Sequence, residues 1–354
     1  MTSFTLPPLT LATSCPSDAD VIVIGLADGG SGPVLVGVAD DLEKRIAKQF
    51  GRPLLQVALS LGAKTKPGST VALPGPDGRT MVAVGLGDID VTPEQVRRAA
   101  GNGVRKASKL AGDGSVSVAV CLDAVEPEVI RGAAEGALLG SYSFAKLSMD
   151  QPPARVSSIT VVSTSGKPEA RRAVEAARTV ASAVCLARDW VNEPANVLYP
   201  ETFAESARGV VKGSRIDVEV LDDKALERGG YGGLVAVGGG SAHGPRLVRY
   251  SYAPRGAKAH LALVGKGITF DTGGLNLKPS DGMYTMKDDM AGAAAVLAAT
   301  RAIAELGLKV RVTTYAAMAA NLPSGTAYRP SDARTMHGGT TAENGNPDAA
   351  GRLA

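Results

Sequence analysis

Short apolar runs that end at glycine alternate along the chain with longer segments whose apolar residues return every three or four positions. This is the pattern of layered α/β structure. In the first half, Val21–Leu26, Met81–Leu86, Val116–Leu122 and Ile159–Ser163 read as strands. Between them Thr92-Pro93-Glu94 opens a helix, with threonine as N-cap, proline in the first turn and an acid near the positive end of the dipole. That helix continues through Arg97, Arg98, Val104 and Leu110. Ile130–Phe144 predicts a second helix, with apolar residues at Ile130, Ala133, Ala137, Leu138 and Phe144. Ser165-Gly166-Lys167-Pro168 then interrupts the pattern, and Glu169–Trp190, free of Gly and Pro, predicts one long helix.

The alternation resumes with strands at Asp217–Leu221, Leu247–Tyr252, Leu261–Val264 and near Val310–Ala316. Helices are expected at Lys224–Arg228 and from about Ala291 to Leu306. The expected fold is α/β, with two domains, 1–165 and 191–354, joined by a long helix over 166–190; the second is built on a mostly parallel sheet. There is no internal repeat. Near the end lies a loop rich in Gly, Asn and Pro (Gly338–Pro347). A sheet left on a loop, without a closing helix or strand, predicts that the second domain is incomplete.

Composition narrows the function classes. With 44% hydrophobic and 21% charged residues the chain is globular, and disorder is excluded. A net charge of +3 demands neither nucleic acid nor an anionic membrane, and 4% aromatics argues against a base-stacking surface. Cys15, Cys121 and Cys185 are too few and too scattered for a disulfide framework or a thiolate metal site. No apolar stretch approaches the roughly 18 residues that span a bilayer. No Lys or Arg precedes Lys44, so a secretory or transit leader is not expected, and the expected compartment is the cytoplasm.

The densest chemical signal is Val264–Asp289. Leu261-Ala262-Leu263-Val264 is continuously apolar and predicts a central strand buried on both faces. It runs into Gly265-Lys266-Gly267, then Ile268-Thr269-Phe270-Asp271 and Gly273-Gly274. Ligands of open α/β sheets bind at the carboxyl ends of strands, where glycines admit close backbone approach. Lys278 follows on a loop closed by Pro279, and Asp288-Asp289 precede an alanine-rich helix. Taken singly, the two aspartates read as helix caps and Lys266 as a strand-end charge. Together, two lysines and two or three carboxylates suit an oxygen-rich site for a hard or borderline divalent ion. There is no HExxH, and His243, His260 and His337 share no useful spacing, so neither a conventional zinc-protease site nor a Ser-His-Asp triad is supported.

The run Val264–Gly274, with Met286–Val296 and Asn321-Leu322-Pro323-Ser324-Gly325, closely resembles the leucyl (cytosol) aminopeptidases, which carry a di-metal site. Arg188–Asn196, Tyr231-Gly232-Gly233-Leu234 and Pro245-Arg246-Leu247 fit the same family. The resemblance is continuous from about Arg188 to Tyr328. Residues 1–165 resemble the family's variable, macro-domain-like N-terminal domain more loosely. It implies a metal-dependent exopeptidase that releases N-terminal, leucine-like residues from peptides, two divalent ions (Mn²⁺ or Zn²⁺), and assembly into a homo-hexamer. By the same resemblance Lys266, Asp271, Asp289 and Asp348 are metal ligands and Lys278 is the catalytic lysine. Arg352 matches the arginine that holds a bicarbonate-like base.

The family signature Asn-Thr-Asp-Ala-Glu-Gly-Arg appears here as Asn346-Pro347-Asp348-Ala349-Ala350-Gly351-Arg352. Ala350 stands where a glutamate would bridge both metals, and Asn344-Gly345 replaces an apolar pair. The rest of the family's catalytic domain would follow, so the resemblance implies a C-terminally truncated chain with a degenerate signature and impaired activity.

The physics of these roles is general. A lysine ligates a metal only as the neutral amine; holding a value near 10.4 down to pH 7 costs about 4.6 kcal/mol. Adjacent dications supply that repulsion, activate water and polarise the scissile carbonyl, while a charged lysine stabilises the developing oxyanion. A free substrate amine binding a metal would restrict cleavage to the first peptide bond. The competing reading is a non-catalytic family member that binds DNA or serves as a scaffold, which the near-neutral charge does not favour. A dinucleotide site is not supported either, because Gly85-Leu86-Gly87 lacks the third glycine.

Overall fold

The computed structural model describes residues 4–144 and 155–354. The chain divides into two units, 1–182 and 183–354.

In the first unit the chain runs β1 (Leu9–Ala12), β2 (Val21–Asp28), β3 (Pro33–Val36), α1 (Asp40–Phe50) and α2 (Leu54–Ser60). It continues through β4 (Thr70–Pro74), β5 (Thr80–Asp88), α3 (Pro93–Leu110), β6 (Val116–Cys121), α4 (Pro127–Gly140) and β7 (Val156–Val162). The sheet has the order β1-β7-β6-β2-β5-β4, with β3 paired to β2. Pairings from β1 through β5 are parallel, whereas β4 and β3 join antiparallel. The central strand β2 is apolar and buried along nearly its whole length, as a parallel strand covered on both faces must be. α3 begins where its sequence signal placed it. The Thr92 side chain accepts from the Gln95 N–H, and Gln95 Oε1 accepts from the Thr92 N–H, a closed capping box.

Helix α5 (Pro168–Asn192) is the long helix read from the sequence, but the division between the units falls inside it, after Ser182. The helix is therefore shared by the two units, where the sequence reading made it a separate connector.

The second unit continues with α6 (Pro200–Val210), β8 (Ile216–Leu221), α7 (Asp223–Arg228), α8 (Gly232–Gly238), β9 (Arg246–Tyr252) and β10 (His260–Asp271). Then come α9 (Ser280–Met283), a 3₁₀ turn at Met286–Asp288, α10 (Ala291–Glu305) and β11 (Arg311–Asn321). The hairpin β12 (Ala333–Thr335) and β13 (Thr341–Glu343) and a 3₁₀ turn at Ala350–Arg352 follow. Part of the segment read as loop thus forms a short strand.

Two expectations change here. The sheet order is β10-β11-β9-β8, and only β10 with β11 is parallel. The sheet is mixed rather than mostly parallel; apolar runs mark strands but carry no information about their direction. The expected central strand is also an edge. β10 pairs on one side only among the described residues, and Val264 is 73% exposed. The strand does not stop at Val264 but continues through Lys266 to Asp271, because its glycines serve close packing and do not break it. The core of this unit gathers Trp190, Phe203, Tyr250, Tyr252, Leu297 and Met318 between the sheet and helices α6 and α10.

Candidate metal centre

β10 and β11 run in parallel register, with Gly265 opposite Ala316 and Asp271 opposite Asn321. Side chains on a regular strand alternate between faces, so Lys266 and Asp271, five apart, would face opposite sides. A bulge resolves this: Ile268 pairs with Ala319 and Phe270 with Ala320, so β10 carries one extra residue there. The extra residue turns Asp271 back to the side of Lys266. Helix α10 lies directly over this stretch. A Cβ on Gly265 would stand 2.6 Å from Ala293 Cα and from Gly292 O, so only glycine admits the helix at this distance. α10 in turn fixes Asp289 just before its first turn.

The result is a cluster of five charged side chains. Lys266 Nζ donates to both carboxylate oxygens of Asp289, at 2.8 and 2.7 Å. Lys278 Nζ donates to Asp348 Oδ1 and lies 3.9 Å from Asp271 Oδ2. Asp271 is buried, and its Oδ1 accepts from the Gly273 N–H and from Asn321 Nδ2, both at 2.8 Å. Asn321 Nδ2 also donates to Pro347 O at 3.0 Å, and Tyr328 Oη donates to the same carbonyl at 2.7 Å. These two side chains tie the Asp348 loop to the ends of the strands. Asn276 Nδ2 reaches Asn346 Oδ1 at 2.8 Å and adds a third tie.

The electrostatics follow from this crowding. Burial pushes the Asp289 carboxyl above its usual range, against the opposing pull of Lys266. Burial works to lower the Lys278 ammonium, but the hydrogen bond to Asp348 and the charges of Asp271, Asp348 and Asp289 outweigh it, and its value is raised. Lys278 is therefore firmly charged. Tyr328 is pushed up to about 12 by burial, with Asp271 and Asp348 adding to the effect.

The structure thus brings together Lys266, Asp271, Lys278, Asp289 and Asp348. Asp288 is exposed at the end of its 3₁₀ turn, and Arg352 is exposed at the end of the turn that carries it. Ala350 is fully buried against Ile268, Ala317, Ala319 and Tyr328, and Gly351 packs on the Lys266 stem, where a Cβ would stand 2.8 Å from Cε. Asn321 and Tyr328 carry no charge and were not singled out as site residues from sequence. The signal for Asn321 was its place at the end of an apolar strand, beside a strand ending in an aspartate.

Whether these residues suit a metal can be judged from their donor chemistry. Neighbouring ligands around an octahedral ion with bonds of about 2.1 Å stand about 3 Å apart, close to the Lys266–Asp289 spacing. Three carboxylates and one amine fit one hard or borderline divalent ion. Ala350, whose side chain is a methyl, offers no further ligand to a second ion. Among the described residues no three His, Cys, Asp or Glu side chains gather at metal-binding spacing. Here the carboxylates are drawn onto the two lysines instead of onto one another.

Known proteins resemble this chain in sequence and in fold. Residues 185–354 match the cytosol aminopeptidase family catalytic domain, and residues 34–150 match that family's N-terminal domain. A probable cytosol aminopeptidase of Cutibacterium acnes is 52% identical over 338 residues, covering 95% of this chain and 66% of the relative. One from Streptomyces coelicolor is 43% identical, covering 98% and 70%. The chain spans about two-thirds of the length of these relatives. Among solved structures, the bottromycin maturation enzyme BotP in complex with Mn is 35% identical with a TM-score of 0.76, covering 95% of this chain and 67% of that one. The cytosol aminopeptidase of Coxiella burnetii, at 24% identity and a TM-score of 0.73, shares the fold. No helix among the described residues is long and apolar enough to cross a membrane. With both of its domains matched and the charged cluster at the strand ends, this chain belongs to the cytosol aminopeptidase family.

Proposed function

We propose that this chain is a metal-dependent aminopeptidase, which removes N-terminal, leucine-like residues from peptides, and that its metal centre is weakened by Ala350. The observation that carries the reading is the Lys266–Asp289 pair standing beside Asp271, Lys278 and Asp348 at one end of the β10–β11 ladder. Lys266, Asp271, Asp289 and Asp348 would hold the ion, Mn²⁺ or Zn²⁺. Bound there, it would polarise a peptide carbonyl and acidify water.

The remaining work belongs to the chain. Lys266 would ligate through its neutral amine, its proton passing to solvent, while Asn321 and Gly273 hold Asp271 in a fixed orientation. Lys278, released from Asp348, would donate to the oxyanion that develops on the scissile carbonyl. Arg352 would hold the base. Two dications carry four positive charges against three carboxylates, which lack the fourth and the bridge it would make. One ion would therefore bind better than a second, and turnover would be slow. Cytoplasmic location and hexameric assembly complete the proposal.

The test is hydrolysis of leucine p-nitroanilide by chelator-stripped protein with and without added Mn²⁺, alongside elemental analysis of the dialysed protein. One Mn²⁺ per chain and slow, Mn²⁺-dependent turnover that Lys278→Ala abolishes are expected. Hydrolysis indifferent to chelator and to Lys278→Ala, or no bound Mn²⁺, would overturn the reading.

A further inference from the structure

The first unit holds a second reactive cluster. Val162, at the end of β7, pairs with Ala12 at the end of β1 on one side and with Cys121 at the end of β6 on the other. Cys15 follows Ala12 by three residues in the irregular segment leading to β2. Its Sγ donates to Pro16 O at 3.7 Å, and its side chain packs on the same apolar cluster that holds Cys121, bringing the two thiols within reach of each other. The two cysteines differ in surroundings. Cys121 is buried among Ile22, Ile24 and Ala119, while Cys15 packs on the rim of the same apolar cluster and stays partly open to solvent. Arg79, whose Nη1 donates to Pro16 O at 3.3 Å, places a guanidinium beside Cys15, with Asp41 as the opposing charge.

We propose that Cys15 and Cys121 form a peroxide-responsive dithiol that closes to a disulfide within this unit. The assignment is independent of the aminopeptidase reading. The roles of the two sulfurs follow from their surroundings. The hydrogen bond from Cys121 and the charge of Arg79 outweigh burial and lower the Cys15 thiol to about 7, so much of it is thiolate at neutral pH. The interaction with Cys15 and its own burial push Cys121 well up, so it stays a thiol.

The Cys15 thiolate attacks a peroxide oxygen: an S–O bond forms, the O–O bond breaks, and hydroxide leaves and is protonated to water. Cys15 is then a sulfenic acid, oxidised by two electrons, and the peroxide is reduced. The Cys121 sulfur next attacks Cys15; the S–S bond forms, the S–O bond breaks, and water leaves with the Cys121 proton. The irregular backbone around Cys15 can supply the movement that brings the sulfurs to bonding distance, whereas Cys121 is held in its strand.

The test treats the full chain with hydrogen peroxide and then counts alkylatable thiols under denaturing conditions. Expected is a fall from three thiols to one, an intact mass lower by two hydrogens, and a proteolytic fragment linking the Cys15 and Cys121 peptides, all reversed by dithiothreitol. In Cys121→Ser, dimedone should trap the Cys15 sulfenic acid; in Cys15→Ser neither adduct nor cross-link should form. Three unreacted thiols, a dimedone adduct on wild-type Cys15 without a cross-link, or a disulfide between chains would each overturn the proposal.

Discussion

Asn321 is the uncharged residue on which the proposed metal centre turns, and replacing it with alanine isolates its contribution. The side chain is 1% exposed, and its amide donates to Asp271 Oδ1 at 2.8 Å and to Pro347 O at 3.0 Å. A hydrogen bond to a charged group contributes about 1.5–3 kcal/mol and a neutral one about 1 kcal/mol. Asn321→Ala should therefore destabilise the second unit by about 3 kcal/mol. Pro347 O keeps the Tyr328 hydroxyl, so Tyr328→Phe alone should cost only about 1 kcal/mol.

Once both are removed, that buried carbonyl loses both side-chain donors, and the double variant should exceed the sum of the singles by about 1 kcal/mol. Trp190 is the single tryptophan, buried against Phe203 in the core of this unit, so its fluorescence during urea unfolding reports on this unit. Mn²⁺ affinity should fall with stability in Asn321→Ala, because Asp271 loses the donor that orients it. A midpoint unchanged in Asn321→Ala, or strictly additive effects in the double variant, would refute the view that the Asp348 loop is tied down through these two side chains.

Two further outcomes are expected. Ala350→Glu would bury an uncompensated carboxylate in an apolar cluster, lowering metal-free stability by about 3–5 kcal/mol, with Mn²⁺ restoring much of it; thermal melts with and without metal read both, and metal affinity should recover more than turnover. Glu94 is held down at about 2, from 4.5, by hydrogen bonds from Arg97 and Arg98. Since the unfolded chain binds that proton first, its contribution is present above pH 4.5 and lost as the pH falls toward 2. Glu94→Gln should flatten the acid limb of first-unit stability in that window, less so at high salt.

Much of this protein was legible in one dimension. The strands β2, β5, β6 and β9 and the helices α3, α5 and α10 follow from apolar periodicity and from caps, because those signals act between residues a few positions apart. The lysines and aspartates that the structure brings together were already candidates in the sequence, where several stand among glycines at strand ends, whereas Arg352 does not join them. Other features depended on which segments meet. Apolar Leu261–Val264 could not reveal that β10 pairs on one side only among the described residues, nor could strand patterns reveal the antiparallel pairings of β9. Pairing is decided by partners far along the chain. The bulge that brings Asp271 to the side of Lys266 is visible only in the register against β11. Asn321 and Tyr328 matter because of a carbonyl at Pro347, which no spacing announces. Cys15 and Cys121 look scattered in sequence, yet they pack on one apolar cluster because β1 and β6 flank the end of β7. Local composition determines which elements form; the meeting of distant chemical groups is decided only when the sheet closes, since long-range pairing alone sets their distances.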